Sequence, residues 1–228
     1  MNNQNQKPLV LFVDAATPLF YIAIKHQENG ILCEQQYNHT QLKGEALISE
    51  IKKMLVKNRH NVNEVGYLCT TKGPGSLTGL RISMSLVKTM GQILNIPIVC
   101  IPTLYALECS YLFSQKSEQA DIMTCLTARK NSFYVRFSGN KEDVFKQFST
   151  ETLCEKAKDV NIVLWPSGSV PLDVCDKQQA NSVIVKLSPD VIFGLCSIKY
   201  QNKEYVNYKE CQPEYAGKSV AEKNFESK

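Results

Sequence analysis

The chain has 228 residues, 43% hydrophobic and 21% charged, with a formal net charge of +4. That size and apolar share suit two lobes of about 100 residues each with cores of their own, and they exclude a largely disordered chain. Lys and Arg are spread along the sequence, so nucleic acid is permitted as a partner without being demanded; a polar Met1 to Lys7 and the lack of any apolar run near the roughly 20 residues of a membrane span make a cytoplasmic protein the expectation.

Leu9 to Val13 is an unbroken apolar run, the pattern of a strand buried on both faces. Asp14 to Pro18 turns the chain, Leu19 to Ile24 returns, Lys25 to Gly30 turns again, and Ile31 to Tyr37 gives a third strand. The result is a meander with Asp14 at its first tip. A helix is predicted from about Thr40 to Lys57, where Leu42, Ala46, Leu47, Ile51, Met54 and Leu55 recur at helical spacing and Lys52, Lys53 and Lys57 lie opposite or in the last turn. Val65 to Thr70 is a strand, and a Gly-rich turn leads into a second helix from about Leu77 to Leu94. Asn95-Ile96-Pro97 stops that helix ahead of a strand at Ile98 to Ile101. Strands alternating with helices in this way build a parallel α/β layer.

The second half opens with a helix at Leu104 to Ser114, a strand at Ile122 to Leu126, a polar turn at Thr127 to Ser132 and a strand at Phe133 to Phe137. This repeats the order of Leu9 to Ile24. An internal duplication, each copy founding one lobe, stands beside the plainer reading of two unrelated hairpins. Short strands follow at Ile162 to Trp165 and Val183 to Leu187. From Tyr205 the sequence is polar, with Pro213 and Tyr215 as docking points and a fraying end. The expected division is a first lobe at 1–103 and a second lobe with its tail at 104–228.

Gly73-Pro74-Gly75-Ser76-Leu77-Thr78-Gly79-Leu80-Arg81 sits between a strand and a helix. Gly73 and Gly75 let the backbone turn tightly, and Ser76 or Thr78 can cap the helix while free amides gather at its positive end. It is not a Walker loop, since no Lys-Ser or Lys-Thr follows the last Gly, and its glycine spacing is not the dinucleotide fingerprint. A surface shaped for a phosphate or a partner and a tight strand-to-helix turn are equally open. Asp14, Gly73, Gly75 and Ser76 are the candidate nucleotide-binding residues. Asp14 could hold a phosphate-bound metal, but Ala15, Ala16 and Pro18 beside it offer neither glycine freedom nor, at Pro18, an amide donor; a turn-forming role is preferred. Its counterpart in the second half is Thr127, which is not an acid.

His26, His39 and His60 are far apart, and nine cysteines never form a Cys-x-x-Cys pair, so local spacing assembles no metal site. Several cysteines lie inside apolar runs, as buried thiols in a reducing compartment would. Arg129, Lys130 and Arg136 form the densest basic cluster and are candidates for RNA phosphate contact.

These segments resemble the bacterial TsaB (YeaZ) family, subunits of the machinery that makes threonylcarbamoyladenosine in tRNA. GPGSLTGLRIS is similar to the family's Gly-Pro-Gly-Ser-Phe-Thr-Gly-Leu-Arg-Ile, and Val13 to Thr17 to its Ile-Asp-Thr-Ala-Thr. Leu94 to Glu108 resembles its strand-and-helix continuation, and Cys211 to Tyr215 its Pro-x-Tyr segment. The resemblance implies a two-lobed α/β fold of the actin-like ATPase and sugar-kinase superfamily, each lobe a mixed sheet flanked by helices. It implies a noncatalytic role beside a TsaD-like catalytic paralogue and a TsaE-like ATPase, with tRNA reached through the complex. No cofactor of its own is expected, ATP or ADP belonging to the boundary with partners. The family pairs largely through the two helices of its first lobe, where Leu47, Ile51, Met54, Leu86, Val87 and Met90 offer apolar surface; a homodimer when alone would use the same face. Thr127 to Tyr134 departs from the family's Asp-Ala-Arg-Arg-Gly-Glu-Val-Tyr, losing both acids and the Gly. An ATP-dependent small-molecule kinase is the alternative from the same superfamily, disfavoured by Ala15, Ala16 and Thr127. A metallopeptidase is a more distant one, disfavoured by the missing ligand spacing.

Overall fold

The computed structural model describes residues 8–38, 41, 43–116, 121–129, 131–168 and 181–214. In chain order these form β1 (Leu9–Asp14), β2 (Phe20–His26), β3 (Gly30–Tyr37), α1 (Leu47–Lys57), β4 (Val65–Gly73), α2 (Leu77–Leu94), β5 (Ile98–Pro102) and α3 (Thr103–Gln115). The second half gives β6 (Ile122–Arg129), β7 (Ser132–Phe137), β8 (Lys146–Ser149), α4 (Thr150–Lys156), β9 (Ile162–Pro166), β10 (Asn181–Val185) and α5 (Pro189–Gln201).

β1 lies antiparallel to β2 and parallel to β4, β2 is antiparallel to β3, and β4 is parallel to β5, so the first sheet runs β3-β2-β1-β4-β5. The second sheet, taken from its far edge, runs β8-β7-β6-β9-β10 with the same pattern of parallel and antiparallel pairs. Two copies of one five-strand topology, each flanked by helices, are the two mixed-sheet lobes expected above. The shared order decides for an internal duplication over two unrelated hairpins.

The apolar run of β1 is buried on both faces because successive side chains alternate. Leu9, Leu11 and Val13 pack with Leu47, Ile51, Leu55 and Val87 of α1 and α2. Val10 and Phe12 point the other way, into a second core with Leu107 of α3 and Ile192, Phe193 and Cys196 of α5. A third core, around Trp165, Phe133 and Leu153, lies under α4. Burying each such side chain contributes about 1.5–3 kcal/mol relative to exposure. α3 and α5 are thus held between the sheets: α3 packs on β6 as well as β4 and β5, and α5 packs back on β5, β1 and β3. Tyr67 of β4 stacks on Tyr200 of α5 with ring centroids 4.2 Å apart.

Four expectations are corrected. The first helix starts at Leu47 after a short 3-10 turn at Gly44–Ala46, because Lys43 is extended (φ −88°, ψ 151°) and Gly44 passes close over Ile82; Thr40 and Leu42 lie outside the described residues. The polar turn at 127–132 shrinks to the hairpin tip, since β6 runs on to Arg129 and Asn131 takes a left-handed conformation (φ 60°). The strand expected at Val183–Leu187 is β10, two residues earlier, set by its parallel register with β9. The polar segment after Tyr205 is anchored: Val206 pairs with Ile98 on the edge of the first sheet, and Cys211 is buried. Tyr215 lies outside the described residues.

Candidate functional site

The Gly-rich segment closes on two neighbours. Gly73 has φ +114°, and a Cβ there would sit 2.6 Å from the Glu214 carbonyl oxygen, so only glycine fits. The Glu214 N–H donates to the Lys72 carbonyl at 2.6 Å, and the two side chains pair at 3.3 Å. On the other side the Ser76 N–H donates to the Ala16 carbonyl at 2.9 Å. A Cβ on Gly75 would lie 2.6 Å from that carbonyl oxygen, and one on Gly79 would lie 1.6 Å from the Ala15 carbonyl oxygen. Ser76 caps α2, its hydroxyl accepting from the Gly79 N–H at 3.2 Å. These glycines seat the first turn of α2 directly on the β1–β2 turn.

Asp14 completes that contact from below. It is fully buried, and its carboxylate accepts from the Ala16 N–H (3.1 Å), the Thr17 N–H (3.3 Å) and the Thr17 hydroxyl (2.6 Å). The Thr71 hydroxyl of β4 donates to it as well. Burial pushes its pKa above the ordinary 3.8, against the pull of these donors. Asp14 therefore ties β1, the following turn and β4 together. Its lone pairs are taken up by the protein's own donors.

Between this turn and the second lobe, the space lined by Thr17, Leu19, Tyr21, Pro166, Ser167 and Leu187 measures ≈ 20 Å³, room for about one water. Gly168 approaches Pro18 closely from the facing lobe. The candidate nucleotide ligands Asp14, Gly73, Gly75 and Ser76 are brought together by the fold, at the contact between the start of α2 and the β1–β2 turn. Among the described residues, no cluster of three or more His, Cys, Asp or Glu is placed to hold a metal ion.

The outer faces of α1 and α2 tell a different story from the one their periodicity gave. Leu47, Ile51, Met54, Leu86 and Val87 are at most 7% exposed and face their own sheet; Met90 is half-buried against the same core. As a set of partner contacts these are corrected, because the helical stripe that binds the sheet is also the most apolar one. What faces outward is Ile48, 60% exposed, together with Val56 and Ile93. Ile48, Arg81, Ile82, Ser85, Leu86 and Thr89 line an open groove of ≈ 680 Å³ between the start of α1 and α2. Of the predicted contacts, Leu86 alone lines it. Ile48 was missed because it falls one position off the stripe facing the sheet; Ile82, partly buried against the same core, reaches the groove from α2.

The basic cluster separates. Arg136 is 2% exposed, its Nε donating to Glu108 Oε2 at 2.9 Å, its Nη2 to the Asn140 carbonyl at 2.8 Å, and its Nη1 to that of Lys141. Its guanidinium lies 5.0 Å from the Tyr105 ring centroid. Burial raises the Glu108 carboxyl above its usual range while Arg136 pulls it back. Arg136 is a buried brace between β7 and α3, so it is withdrawn as an RNA contact. Arg129 is exposed at the end of β6, and Lys130 lies outside the described residues.

Residues 25–184 match the family model described as TsaD: tRNA N6-adenosine threonylcarbamoyltransferase. The tRNA threonylcarbamoyladenosine biosynthesis protein TsaB of Buchnera aphidicola subsp. Acyrthosiphon pisum is 29% identical over 171 residues, covering 70% of this chain and 76% of that protein. TsaB of Buchnera aphidicola subsp. Baizongia pistaciae is 24% identical over 159 residues, covering 68% and 69%. YeaZ from Pseudomonas aeruginosa superposes with a TM-score of 0.69 at 16% identity, covering 91% of this chain and 99% of that one. A crystal structure of an uncharacterized protein with similarity to peptidase YEAZ, also from Pseudomonas aeruginosa, gives 0.70 at 17%, covering 91% and 98%. At such identities the structural likeness shows a shared fold.

Proposed function

The chain belongs to the TsaD family and, within it, to the TsaB (YeaZ) proteins, and on that premise we propose that it is a noncatalytic scaffold subunit of the complex that forms N6-threonylcarbamoyladenosine in tRNA. It holds a TsaD-like paralogue, which carries the transfer chemistry, and works with a TsaE-like ATPase; tRNA is reached through the assembly. The observation that carries the noncatalytic reading is the seating of α2 on the β1–β2 turn. Where a nucleotide-using relative needs an open phosphate loop, Gly75 and Gly79 meet the Ala15 and Ala16 carbonyls, and Asp14 is spent on its own turn.

What the Gly-rich motif does instead is fix the direction of α2, and with it the groove shared with α1. The paralogue docks along that groove, with Ile48, Ile82 and Leu86 supplying apolar contact and Arg81 a charge at its rim. A homodimer of the free chain would use the same face. No helix of the described residues is long and apolar enough to cross a membrane.

Co-expression with the TsaD-like protein of the same organism tests this reading. The two should co-purify, and Ile48→Glu should weaken the complex at least tenfold, about 1.4 kcal/mol, with an unchanged melting temperature. Loss of the gene should remove the modification from tRNA. A complex that never forms, a modification that survives deletion, or magnesium-dependent ATP turnover by the isolated chain would each overturn it.

A further inference from the structure

β5 is the edge strand of the first sheet, and the segment after α5 covers it. Val206 exchanges both backbone hydrogen bonds with Ile98, each 2.9 Å, and Glu214 is tied to Lys72. Between these anchors Cys211 turns inward, 1% exposed, with its Sγ 3.7 Å from Cys100 Sγ of β5 and 3.4 Å from Met84 Sδ. Cys100 is half-buried and opens into a surface pocket of ≈ 280 Å³ that it shares with Lys72, Lys141 and Lys199 as well as Glu142 and Glu204. The contact with Cys211 and burial push the Cys100 thiol up, with Lys72 pulling weakly the other way, while the same contact, helped by Lys88, favours the thiolate at Cys211. A second sulfur pair, Cys69 with Cys196, is fully buried in the core between the sheets and has no such opening.

We propose that Cys100 and Cys211 are an oxidative modification site, in which a peroxide closes a disulfide that pins segment 206–214 to the edge of the first sheet. The sulfurs are already in contact, and forming the bond asks them to close by about 1.7 Å toward the usual ~2.05 Å. One thiol of the pair loses its proton to solvent, leaving the charge mainly on Cys211; the remaining proton lies between the two sulfurs, and its transfer from Cys100 to Cys211 presents the Cys100 thiolate to the pocket. Its sulfur attacks the peroxide O–O bond and takes one oxygen as a sulfenic acid; the departing hydroxide is protonated to water. Cys211 sulfur then attacks that of Cys100, the S–O bond breaks, and the second hydroxide leaves as water with the last thiol proton. Two thiols and one hydrogen peroxide give one disulfide and two waters.

The disulfide joins positions 111 residues apart, so it constrains the unfolded chain strongly. The test uses the full-length protein, reduced or treated with hydrogen peroxide, free thiols blocked, then digested with trypsin without reductant. The expected product links peptides 89–116 and 210–218, two hydrogens lighter than their sum, with fragmentation assigning Cys100 rather than Cys109. Oxidation should raise the melting temperature by roughly 5–15 °C and slow hydrogen exchange over 206–214 at least tenfold. Cys100→Ser should lose all three effects while its reduced form melts near the wild type. Should that variant fail to fold, the wild-type map and exchange data decide. A Cys69–Cys196 link forming as readily, or oxidation ending in sulfinic and sulfonic acids with no 100–211 link, overturns the proposal.

Discussion

Replacing Gly79 with alanine sets helix propensity against packing, and the two predict opposite signs. Propensity alone favours alanine inside a helix by about 1 kcal/mol. The new Cβ would lie 1.6 Å from the Ala15 carbonyl oxygen, whereas real Cβ atoms essentially never come within 3.0 Å. Either α2 or the β1–β2 turn must therefore move by at least about 1.4 Å, and an interior forced to accommodate extra volume loses about 1–3 kcal/mol. That movement also breaks the Ser76–Ala16 backbone hydrogen bond, worth about 1 kcal/mol. Allowing for propensity, Gly79→Ala should cost about 1–3 kcal/mol, or roughly 2–12 °C in melting temperature for a chain of this length. Gly194 of α5 has nothing within 4 Å of its would-be Cβ, so the same substitution there should stabilise by up to about 1 kcal/mol. Urea denaturation of both variants against the parent is the assay. A neutral or stabilising Gly79→Ala would refute the claim that α2 is seated on the Ala15–Ala16 turn.

Glu108→Gln or Arg136→Met should each cost about 3–5 kcal/mol by leaving a buried charge unpaired, and the double replacement Glu108→Leu with Arg136→Met should cost clearly less than their sum; additive losses would show that the pair is not coupled. Ile51→Ala should lose about 2–5 kcal/mol, while Ile48→Ala, on the exposed side of the same helix, should stay within about 0.5 kcal/mol; equal losses would mean the wrong face has been assigned to the core. Asp14→Asn turns an amide donor toward the Ala16 and Thr17 amides and should cost about 1–3 kcal/mol. Because the folded-state pKa of Asp14 is raised above 3.8, the folded protein binds its proton more tightly than the unfolded chain does. The wild-type advantage over Asp14→Asn should then be largest below the ordinary 3.8 and shrink as pH rises through the folded value; an advantage that grows with pH would place Asp14 in a different environment.

The strands of the first lobe were legible because β1 is apolar from Leu9 to Val13 and Gly- or Pro-containing breaks bound several of the elements. The duplication was legible in outline because β6 and β7 repeat the character of β1 and β2. α5 was not. Its apolar residues serve α3 and the first sheet on different sides, so no single stripe marks it; the signal that could have exposed it is Ser188 before Pro189, a proline at the first helical position. The candidate site was half legible. The glycines of GPGSLTGLR announced a close approach, but the carbonyls they approach belong to Ala15 and Ala16, some sixty residues earlier. Arg136 misled for the same reason, its partner Glu108 lying on another element. Periodicity found the stripes of α1 and α2 and could not say whether sheet or partner owned them.

The packing of α5 on β5, β1 and β3, together with the strap from Val206 to Glu214, has a consequence for synthesis. Multi-lobed chains commonly fold from the N-terminal end as they emerge from the ribosome. Here α3 covers only part of the inner face of the first sheet, and neither the rest of that face nor the β5 edge is covered until residues 189–214 have been made. The lobe translated first is therefore finished last, and while it waits, the core of Val10, Phe12, Val99 and Ile101 lacks the cover of Ile192, Phe193 and Cys196 and stays partly open as a sticky surface. A chaperone that recognises apolar strands has its longest opportunity on this half of the nascent protein.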